Sequence, residues 1–353
     1  LSVFLKPLRV LQAMRKARFA EKKATSYCRH LPFRLVVETS SLCNLRCPMC
    51  PASQSSKFTR GLMKFSAFKK VIDESASFVR EIDLSHRGEP LLNRRLPAMI
   101  FYAQQKRIAT HLSTNATRLT EELALRLIQA GLSSLTFSVD GLESGAYERV
   151  RLGAHFDEVV NNIINFLKMK RRLRSQAPST TIEVLDLPDA PVGEEKARRF
   201  LRNFRSLPPV RLLLRSPHTW AGAIQLNREN EKPRGTRRSY RGCPIIRNTM
   251  VILSDGSAAL CPRDWYNDNP LGNIQDCTLK EMWNGWTLTF VRQLLADREY
   301  HQIEVCSQCD LLWREREPRL RTAGTKTWLR DKIVRFGRTG SYLLDARRLA
   351  REF

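Results

Sequence analysis

The sequence predicts an α/β protein built on a partial barrel of six strands and their helices, followed by a small cysteine-bearing domain and flanked by basic helical termini. An alternation of two kinds of segment along the chain supports this fold class. Between residues 33 and 225, short apolar runs rich in β-branched residues alternate with longer segments of helical period. A helix between consecutive strands is the crossover that parallel pairing requires, so the alternation favours a parallel barrel over a sandwich.

Strands and helices are predicted in regular order along this region. Helix candidates are segments in which apolar residues recur every three or four positions, and strand candidates are shorter runs bounded by polar residues. The predicted strands are Leu35–Thr39, Glu81–Ser85, Ile108–Leu112, Ser134–Val139, Thr180–Leu185 and Val210–Leu214. The predicted helices are Ser66–Ala76, Leu96–Gln105, Glu121–Ala130, Asp157–Lys170 and Glu194–Phe204.

Basic amphipathic segments are predicted at both ends of the chain, over residues 1–32 and 313–353. The apolar face of the first either contacts a membrane surface or packs on the body of the protein. Its apolar residues are Phe4, Leu8, Leu11 and Met14, which recur at roughly helical spacing among lysines and arginines. The apolar residues of the second are Trp328, Leu329, Ile333, Val334 and Phe336, with Gly337 and Gly340 interrupting the face.

The overall composition excludes several classes of protein. The chain has 353 residues, of which 42% are hydrophobic and 27% charged, so wholesale disorder is excluded. No run approaches the roughly 18 consecutive apolar residues that a membrane-spanning helix needs, and no secretory signal is visible. We therefore expect a cytoplasmic protein, with peripheral attachment to the inner membrane surface as a further option.

The net charge of +25 is concentrated at the two ends of the chain. Residues 1–35 contain nine Lys or Arg against one Glu, and residues 311–353 contain twelve against five acidic residues. Such charge indicates attraction to an anionic membrane surface, an acidic partner or nucleic acid. Nucleic acid ranks below a membrane surface, because the chain lacks the interleaved aromatic and glycine pattern of common RNA-binding modules.

The nine cysteines indicate metal binding. In a small secreted protein they would suggest a disulfide framework, but here the chain is long, the number is odd and the cysteines are clustered. Three of them, Cys43, Cys47 and Cys50, form a C-x3-C-x2-C loop directly after the first predicted strand. In an α/β barrel, the loops that follow the strands carry the chemistry, so this loop is expected at the mouth of the barrel.

Three thiolates in one short loop fit an iron–sulfur cluster. Three protein ligands for a four-iron cluster leave one iron with an open position, which admits a substrate or cofactor. A zinc site that borrows a fourth ligand such as Cys28 is the alternative.

The loop resembles the signature of the radical S-adenosylmethionine (SAM) superfamily. The resemblance implies that a [4Fe-4S] cluster on Cys43, Cys47 and Cys50 binds SAM, and that reductive cleavage of SAM yields a 5′-deoxyadenosyl radical that abstracts hydrogen from a substrate. The residue before the third cysteine is often aromatic in this family, and here it is Met49, whose polarizable thioether would pack against the adenine.

Further polar residues at strand ends match SAM-binding positions of the family. Each of them alone is also explained as a turn or helix cap. The resemblance assigns Gly88 and Glu89 to the methionyl amino group, with Arg87 in place of a second glycine. It assigns Ser113, Thr114, Asn115 and Ser138 with Asp140 to the ribose, and Arg151 to the methionyl carboxylate.

The remaining cysteine group predicts a second cluster. Cys243, Cys261, Cys306 and Cys309 can saturate a cluster or, alternatively, a structural zinc. The sequence between these cysteines resembles the SPASM extension of the same superfamily, or the shorter twitch extension. The segments that carry this resemblance are Ile252 to Gly256, Leu271 to Ile274 and Leu279 to Asn284. The Asp255-Gly256 pair independently predicts a hairpin turn. One auxiliary [4Fe-4S] cluster is expected, with Cys28 and Cys277 as spectators.

The domain order is therefore a helix over 1–32, a barrel over 33–225, a linker over 226–242, an auxiliary domain over 243–312 and a tail over 313–353.

The resemblance implies an oxidoreductase or epimerase that oxidises, epimerises or crosslinks a peptide or a sugar or aminocyclitol. It also implies an electron donor, such as flavodoxin or ferredoxin, that reduces the enzyme. The alternatives are a nucleic-acid-modifying radical enzyme and a two-cluster electron-transfer protein. No catalytic residue is assigned; Asp264 is a candidate substrate contact or proton acceptor, although an exposed turn aspartate is the simpler interpretation.

Overall fold

A computed structural model describes residues 26–186, 192–215, 217, 219–223, 239–240, 242–314, 333–336 and 341–345. The amphipathic face predicted in residues 1–25 and nearly all of the predicted linker lie outside the described residues. Residues 26–32 form bends without regular secondary structure. No helix in the described ranges is long and apolar enough to cross a membrane.

Six consecutive parallel strands form the centre of the sheet, which confirms the predicted α/β class with a partial barrel. They are β1 (Arg34–Val37), β2 (Glu81–Asp83), β3 (Ala109–Thr114), β4 (Ser134–Ser138), β5 (Ser179–Leu185) and β6 (Val210–Arg215). Each strand pairs in parallel with the next one along the chain. The carboxyl ends of all six strands therefore lie along one edge, where the functional residues were predicted.

Helices cover the outer face of this sheet. Alternate strand residues such as Leu135 and Phe137 are fully buried against helical residues such as Ile163 and Phe166, forming the main core. Thr120 begins one helix by accepting a hydrogen bond from the backbone N–H of Leu123. The helices are Pro51–Gln54, Phe65–Ser75, Leu96–Gln105, Glu121–Gln129, Ser144–Val150, Phe156–Arg172 and Glu194–Arg202.

The region after residue 242 extends the sheet beyond β1. Strand β8 (Thr249–Ile252) pairs in parallel with β1, and β9 (Ser257–Ala259) returns antiparallel to β8. The predicted hairpin turn at Asp255-Gly256 joins these two strands, and Gly256 has a φ of 88°, which glycine adopts without steric cost. Strand β10 (Gly272–Asn273) pairs with β9. Helices Leu279–Trp283, Trp286–Ala296 and Glu304–Ser307 complete this region.

The helical face predicted for the C-terminal tail is wrong where the structure describes that tail. Strands β12 (Ile333–Phe336) and β13 (Ser341–Asp345) form an antiparallel hairpin, and β13 pairs antiparallel with β6. The physical reason is that the two described segments are short runs that contain apolar, β-forming residues such as Ile333 and Val334. The edge of β6 also supplies a pairing partner that the local sequence does not reveal. Strands β7 (Ser239–Tyr240) and β11 (Trp313–Arg314) form a separate pair.

Candidate active site

The Cys43–Cys50 loop lies where the sequence predicts it, immediately after β1. Neighbouring segments hold it through backbone hydrogen bonds: Ser41 donates to the carbonyl of Gly61 at 3.0 Å, and Glu89 donates to the carbonyl of Leu42 at 2.7 Å. The amide of Cys50 donates to the carbonyl of Cys47 at 3.0 Å, closing a tight turn. The third cysteine therefore lies directly before the short helix that begins at Pro51.

The three thiols of this loop lie close enough to influence one another's ionisation. Burial raises the pKa of Cys43, Cys47 and Cys50, the last to about 11, and the negative charge of neighbouring thiolates raises the pKa of Cys43 and Cys50 further. Clustered, desolvated thiolates are stabilised by bound metal. In the described part of the chain, no three His, Cys, Asp or Glu side chains are gathered tightly enough for a single metal ion. The residues present fit an iron–sulfur cluster instead, because they offer three thiol donors that are close enough to raise one another's pKa.

Arg151 connects the cysteine loop with the end of β4. Its partly buried guanidinium forms an ion pair with Asp140 and a hydrogen bond with the Cys47 sulfur. Asp140 in turn accepts a hydrogen bond from the amide of Leu185 at 3.1 Å. Leu152, the residue after Arg151, accepts a hydrogen bond at its backbone carbonyl from the amide of Arg46 at 3.0 Å. The predicted carboxylate-binding arginine is therefore at the cluster site, where it places a positive charge beside the thiolates.

Glu89 is buried and ties two of the predicted SAM-binding segments together. Its carboxylate accepts hydrogen bonds from the Thr114 hydroxyl at 2.7 Å, the Asn115 amide at 2.8 Å and the Leu91 amide at 3.0 Å. Burial raises the pKa of Glu89, although these three bonds oppose the rise. The ends of β2 and β3 are thereby fixed side by side at the mouth of the barrel.

The cysteine loop and the end of β3 are also joined directly. The Asn115 side chain donates to the Asn44 side chain at 3.2 Å, and Asn44 donates to the Thr117 hydroxyl at 2.8 Å. The structure thus brings Gly88, Glu89, Thr114, Asn115 and Arg151 around the cysteine loop. Ser113 lies on the inner face of β3, and Ser138 lies on the inner face of β4. Met49 is partly buried and packs against the core.

Gly88 allows the β2 loop to approach the cysteine loop. A Cβ atom at this position would lie 2.4 Å from the carbonyl oxygen of Leu42 and 2.5 Å from that of Ser40. We expect Gly88→Ala to displace the cysteine loop at a cost of about 1–3 kcal/mol and to weaken SAM binding. Equilibrium dialysis of anaerobic protein with SAM measures this effect. Gly61→Ala is the matched control because its added Cβ meets no atom within 4 Å; equal SAM affinity of both variants would contradict the expectation.

Arg87, which stands where a second glycine was expected, makes a contact that the sequence did not reveal. Its guanidinium forms a buried two-point ion pair with Glu38, at 2.6 Å from Nε to Oε1 and 2.8 Å from Nη2 to Oε2. It also donates to the carbonyl of Trp265 at 3.2 Å, while Glu38 accepts from the Ser254 amide at 3.0 Å. This ion pair therefore joins the loop that carries Gly88 and Glu89 to the region after residue 242.

The four later cysteines lie close together in the fold, although 17 residues separate Cys243 from Cys261 and 44 separate Cys261 from Cys306. Burial raises the pKa of Cys261 and Cys306, and the charge of Cys243 and Cys309 raises both further. This convergence fits four thiolate ligands for one cluster. Cys28 instead lies 3.9 Å from an Arg247 guanidinium nitrogen and packs in the main core.

Asp264 differs from the exposed turn residue considered from the sequence, because it is 1% exposed. Its carboxylate accepts hydrogen bonds from the amides of Asp268 at 3.0 Å and Asn269 at 3.2 Å. Burial raises the pKa of Asp264, which these bonds oppose. These contacts give Asp264 a role in shaping the loop after Cys261.

Comparison with known proteins agrees with this arrangement. The family model "Radical SAM superfamily" matches residues 37–182, and the model "SPASM: Iron-sulfur cluster-binding domain" matches residues 243–310. The chain is 24% identical over 314 residues to the tungsten-containing aldehyde ferredoxin oxidoreductase cofactor-modifying protein of Pyrococcus furiosus, covering 78% of this chain and 87% of the relative. It is 28% identical over 131 residues to the PqqA peptide cyclase of Bradyrhizobium diazoefficiens, covering 37% of this chain and 34% of that protein.

Two solved structures share the fold. BtrN in complex with AdoMet and 2-DOIA superposes with a TM-score of 0.53 at 19% identity, covering 79% of this chain and 93% of BtrN. Streptococcus suis SuiB bound to the precursor peptide SuiA superposes with a TM-score of 0.59 at 16% identity, covering 81% of this chain and 72% of SuiB. The matched domains imply a [4Fe-4S] cluster with SAM and further iron–sulfur binding. The chain therefore contains a radical SAM domain over residues 37–182 and a SPASM iron–sulfur domain over residues 243–310.

Proposed function

We propose that this radical SAM enzyme abstracts a hydrogen atom from a polar small molecule of the sugar or aminocyclitol type, leading to oxidation or epimerisation. The observation that supports this substrate class is the inner face of the barrel sheet, which is lined by hydroxyl and charged side chains. Because buried polar groups need partners, a ligand rich in hydroxyl groups would suit such a wall better than an apolar one.

The hydroxyl groups of this wall come from neighbouring strands. In the sheet register Ser113 pairs with Thr136, which in turn pairs with Thr181, so three hydroxyl-bearing residues lie in one row. One step nearer the barrel mouth, Ser138 pairs with Glu183. Opposite residues of the same strands, such as Phe137, point into the helical layer. The wall is therefore polar because of strand alternation.

Two carboxylates on the same face favour an amine in the substrate. Burial raises the pKa of Asp83 and of Glu183, although Arg34 lies 3.6 Å from Asp83 and Arg215 lies 3.1 Å from Glu183. A positively charged ligand group would stabilise the ionised carboxylates. This electrostatic fit supports an amino sugar or aminocyclitol ahead of a neutral ring.

The bound cluster and SAM supply the radical chemistry, and the chain supplies position and exclusion of water. We propose that Cys43, Cys47 and Cys50 hold the first cluster and that Cys243, Cys261, Cys306 and Cys309 hold the auxiliary one. Arg151 keeps a positive charge beside Cys47, and Glu89 fixes the ends of β2 and β3. An external one-electron donor such as flavodoxin or ferredoxin belongs to this proposal.

Deuterium transfer tests the substrate class. An extract of cells grown in deuterium oxide is separated into cationic small molecules, neutral small molecules and peptides, and each fraction is incubated anaerobically with the reconstituted protein, SAM and dithionite. We expect deuterium in 5′-deoxyadenosine with the cationic small-molecule fraction, because hydrogen abstraction is its source. Transfer from the peptide fraction alone would contradict the proposal and favour peptide modification, the chemistry suggested by the likeness to SuiB and the PqqA peptide cyclase.

A further inference from the structure

We propose that His86 and Trp265 form a binding site for one hydroxyl group of a hydroxylated ring substrate. This inference rests on the proposed function, since it names the side chains that would select that substrate class. His86 comes from the loop after β2, three residues before Glu89, and Trp265 comes from the SPASM domain, four residues after Cys261. The pair therefore lies where the two domains meet at the mouth of the barrel.

Both side chains contain a buried nitrogen without a partner. Among the described residues, neither Nε2 of His86 nor Nε1 of Trp265 has a hydrogen-bond partner, although both atoms are inaccessible to solvent. The two rings are neighbours, with centroids 5.4 Å apart and planes tilted by 55°. Leaving a buried polar group unpaired costs about 1–3 kcal/mol, so two such groups in adjacent rings indicate a partner that is supplied from outside the chain.

Aromatic and apolar side chains surround the pair on the side of the cysteine loop. Trp265 is 2% exposed and packs with Ala52 and Phe58, and Cys50 packs against this same group. The ring of Trp220 meets that of Trp265 edge to face, with centroids 4.7 Å apart. Binding sites of this composition hold the C–H faces of a ring and direct its polar substituents through a few placed groups.

The chemistry of the two nitrogens identifies the group that they would bind. The indole N–H can only donate a hydrogen bond, so its partner must be an oxygen acceptor. Burial lowers the pKa of His86 to about 4, so that its imidazole is neutral near pH 7 and offers one donor and one acceptor nitrogen. A hydroxyl group fits either tautomer of His86, since it can accept from Trp265 while it either donates to or accepts from Nε2. A carbonyl group can only accept, so it fits only the tautomer with its proton on Nε2.

A buried ion pair beside this site connects the two segments that carry its rings. Arg87, the neighbour of His86, donates to the backbone carbonyl of Trp265 at 3.2 Å and pairs with Glu38. The backbones that carry both rings are thus connected through one guanidinium.

Binding measurements on single-atom changes test the inference. Trp265→Phe keeps an aromatic ring and removes the N–H, His86→Phe removes both nitrogens, and Trp286→Phe is the control because Trp286 is 75% exposed. The probes are D-glucosamine, scyllo-inositol and cyclohexylamine, which lacks hydroxyl groups. Saturation-transfer NMR on the anaerobic, fully reconstituted chain with SAM gives their affinities, and iron content and SAM affinity show whether each variant is folded.

We expect the wild type and Trp286→Phe to bind both hydroxylated probes more tightly than cyclohexylamine. Trp265→Phe and His86→Phe should bind the hydroxylated probes about tenfold more weakly, with unchanged iron content and SAM affinity. Unchanged probe affinity in both variants, or a wild type that binds no hydroxylated probe, would overturn the inference. Failure of the proposed function is a separate result, because it is read from deuterium transfer and not from probe affinity.

Discussion

Replacement of Arg87 by leucine is expected to lower the free energy of unfolding by about 3–5 kcal/mol, because it leaves the Glu38 carboxylate buried without its cation. Both side chains are almost completely inaccessible, at 2% for Arg87 and 0% for Glu38. Burial alone would raise the pKa of Glu38, but its hydrogen bonds with Arg87 and Ser254 and the charge of Arg87 hold that pKa below its usual value. The native state therefore depends on an ionised Glu38 paired with Arg87.

Thermal unfolding of the anaerobic reconstituted protein measures this loss. Lys106→Ala provides the comparison, since the ion pair between Lys106 and Asp73 is exposed and such pairs contribute about 0–1 kcal/mol. The expected result is a melting temperature several degrees lower for Arg87→Leu and nearly unchanged for Lys106→Ala. Equal melting temperatures for the two variants would show that the Glu38 contact does not stabilise the fold.

Loss of one ligand cysteine from each group is expected to remove one cluster and leave the other. Two four-iron clusters give about eight irons per chain. Cys47→Ala should lower this to about four and abolish SAM cleavage, while Cys261→Ala should also lower it to about four but retain the spectrum of the first cluster. The physical reason is that the two groups of thiols lie in separate places, after β1 and after residue 242. Iron and sulfide analysis after anaerobic reconstitution provides the measurement.

The spectator cysteines provide the control for these variants. Cys277→Ser and Cys28→Ser should keep about eight irons, because both cysteines have other neighbours. Cys28 lies beside Arg247, and the Cys277 sulfur lies 3.7 Å from the point where a Cβ atom on Gly272 would stand. About four irons in the wild type would contradict the two-cluster assignment. A wild type with eight irons and a Cys277→Ser variant with four would instead move Cys277 into the auxiliary ligand set.

The central strands could be predicted because their signal is local. The predicted limits of β2 and β5, for example, differ from the observed ones by two residues or fewer, since each strand is a short β-branched run between polar turns. Strands β12 and β13 escaped prediction because β13 is stabilised by pairing with the edge of β6, a distant part of the chain, and β12 in turn pairs with β13. Propensity within residues 333–345 could not distinguish that hairpin from an amphipathic helix.

The candidate site likewise contains residues that could be predicted from the sequence and contacts that could not. The cysteine loop was accessible from its spacing and from its place after the first predicted strand, and Glu89 and Arg151 were accessible from the resemblance to the radical SAM superfamily. The Glu38–Arg87 pair joins residues 49 positions apart, and the Arg87–Trp265 bond joins residues 178 apart. Neither contact has a sequence pattern. His86 and Trp265 were missed for the same reason, since only the folded chain shows that their nitrogens lack partners.

Formation of 5′-deoxyadenosine tests the central claim most directly. The anaerobically reconstituted full chain is mixed with SAM and dithionite, and 5′-deoxyadenosine is quantified by mass spectrometry, with Cys47→Ala as the matched control. We predict that the wild type releases 5′-deoxyadenosine even without added substrate and that Cys47→Ala does not. A wild type that holds about eight irons but releases no 5′-deoxyadenosine would contradict a radical-generating enzyme and favour a two-cluster electron carrier.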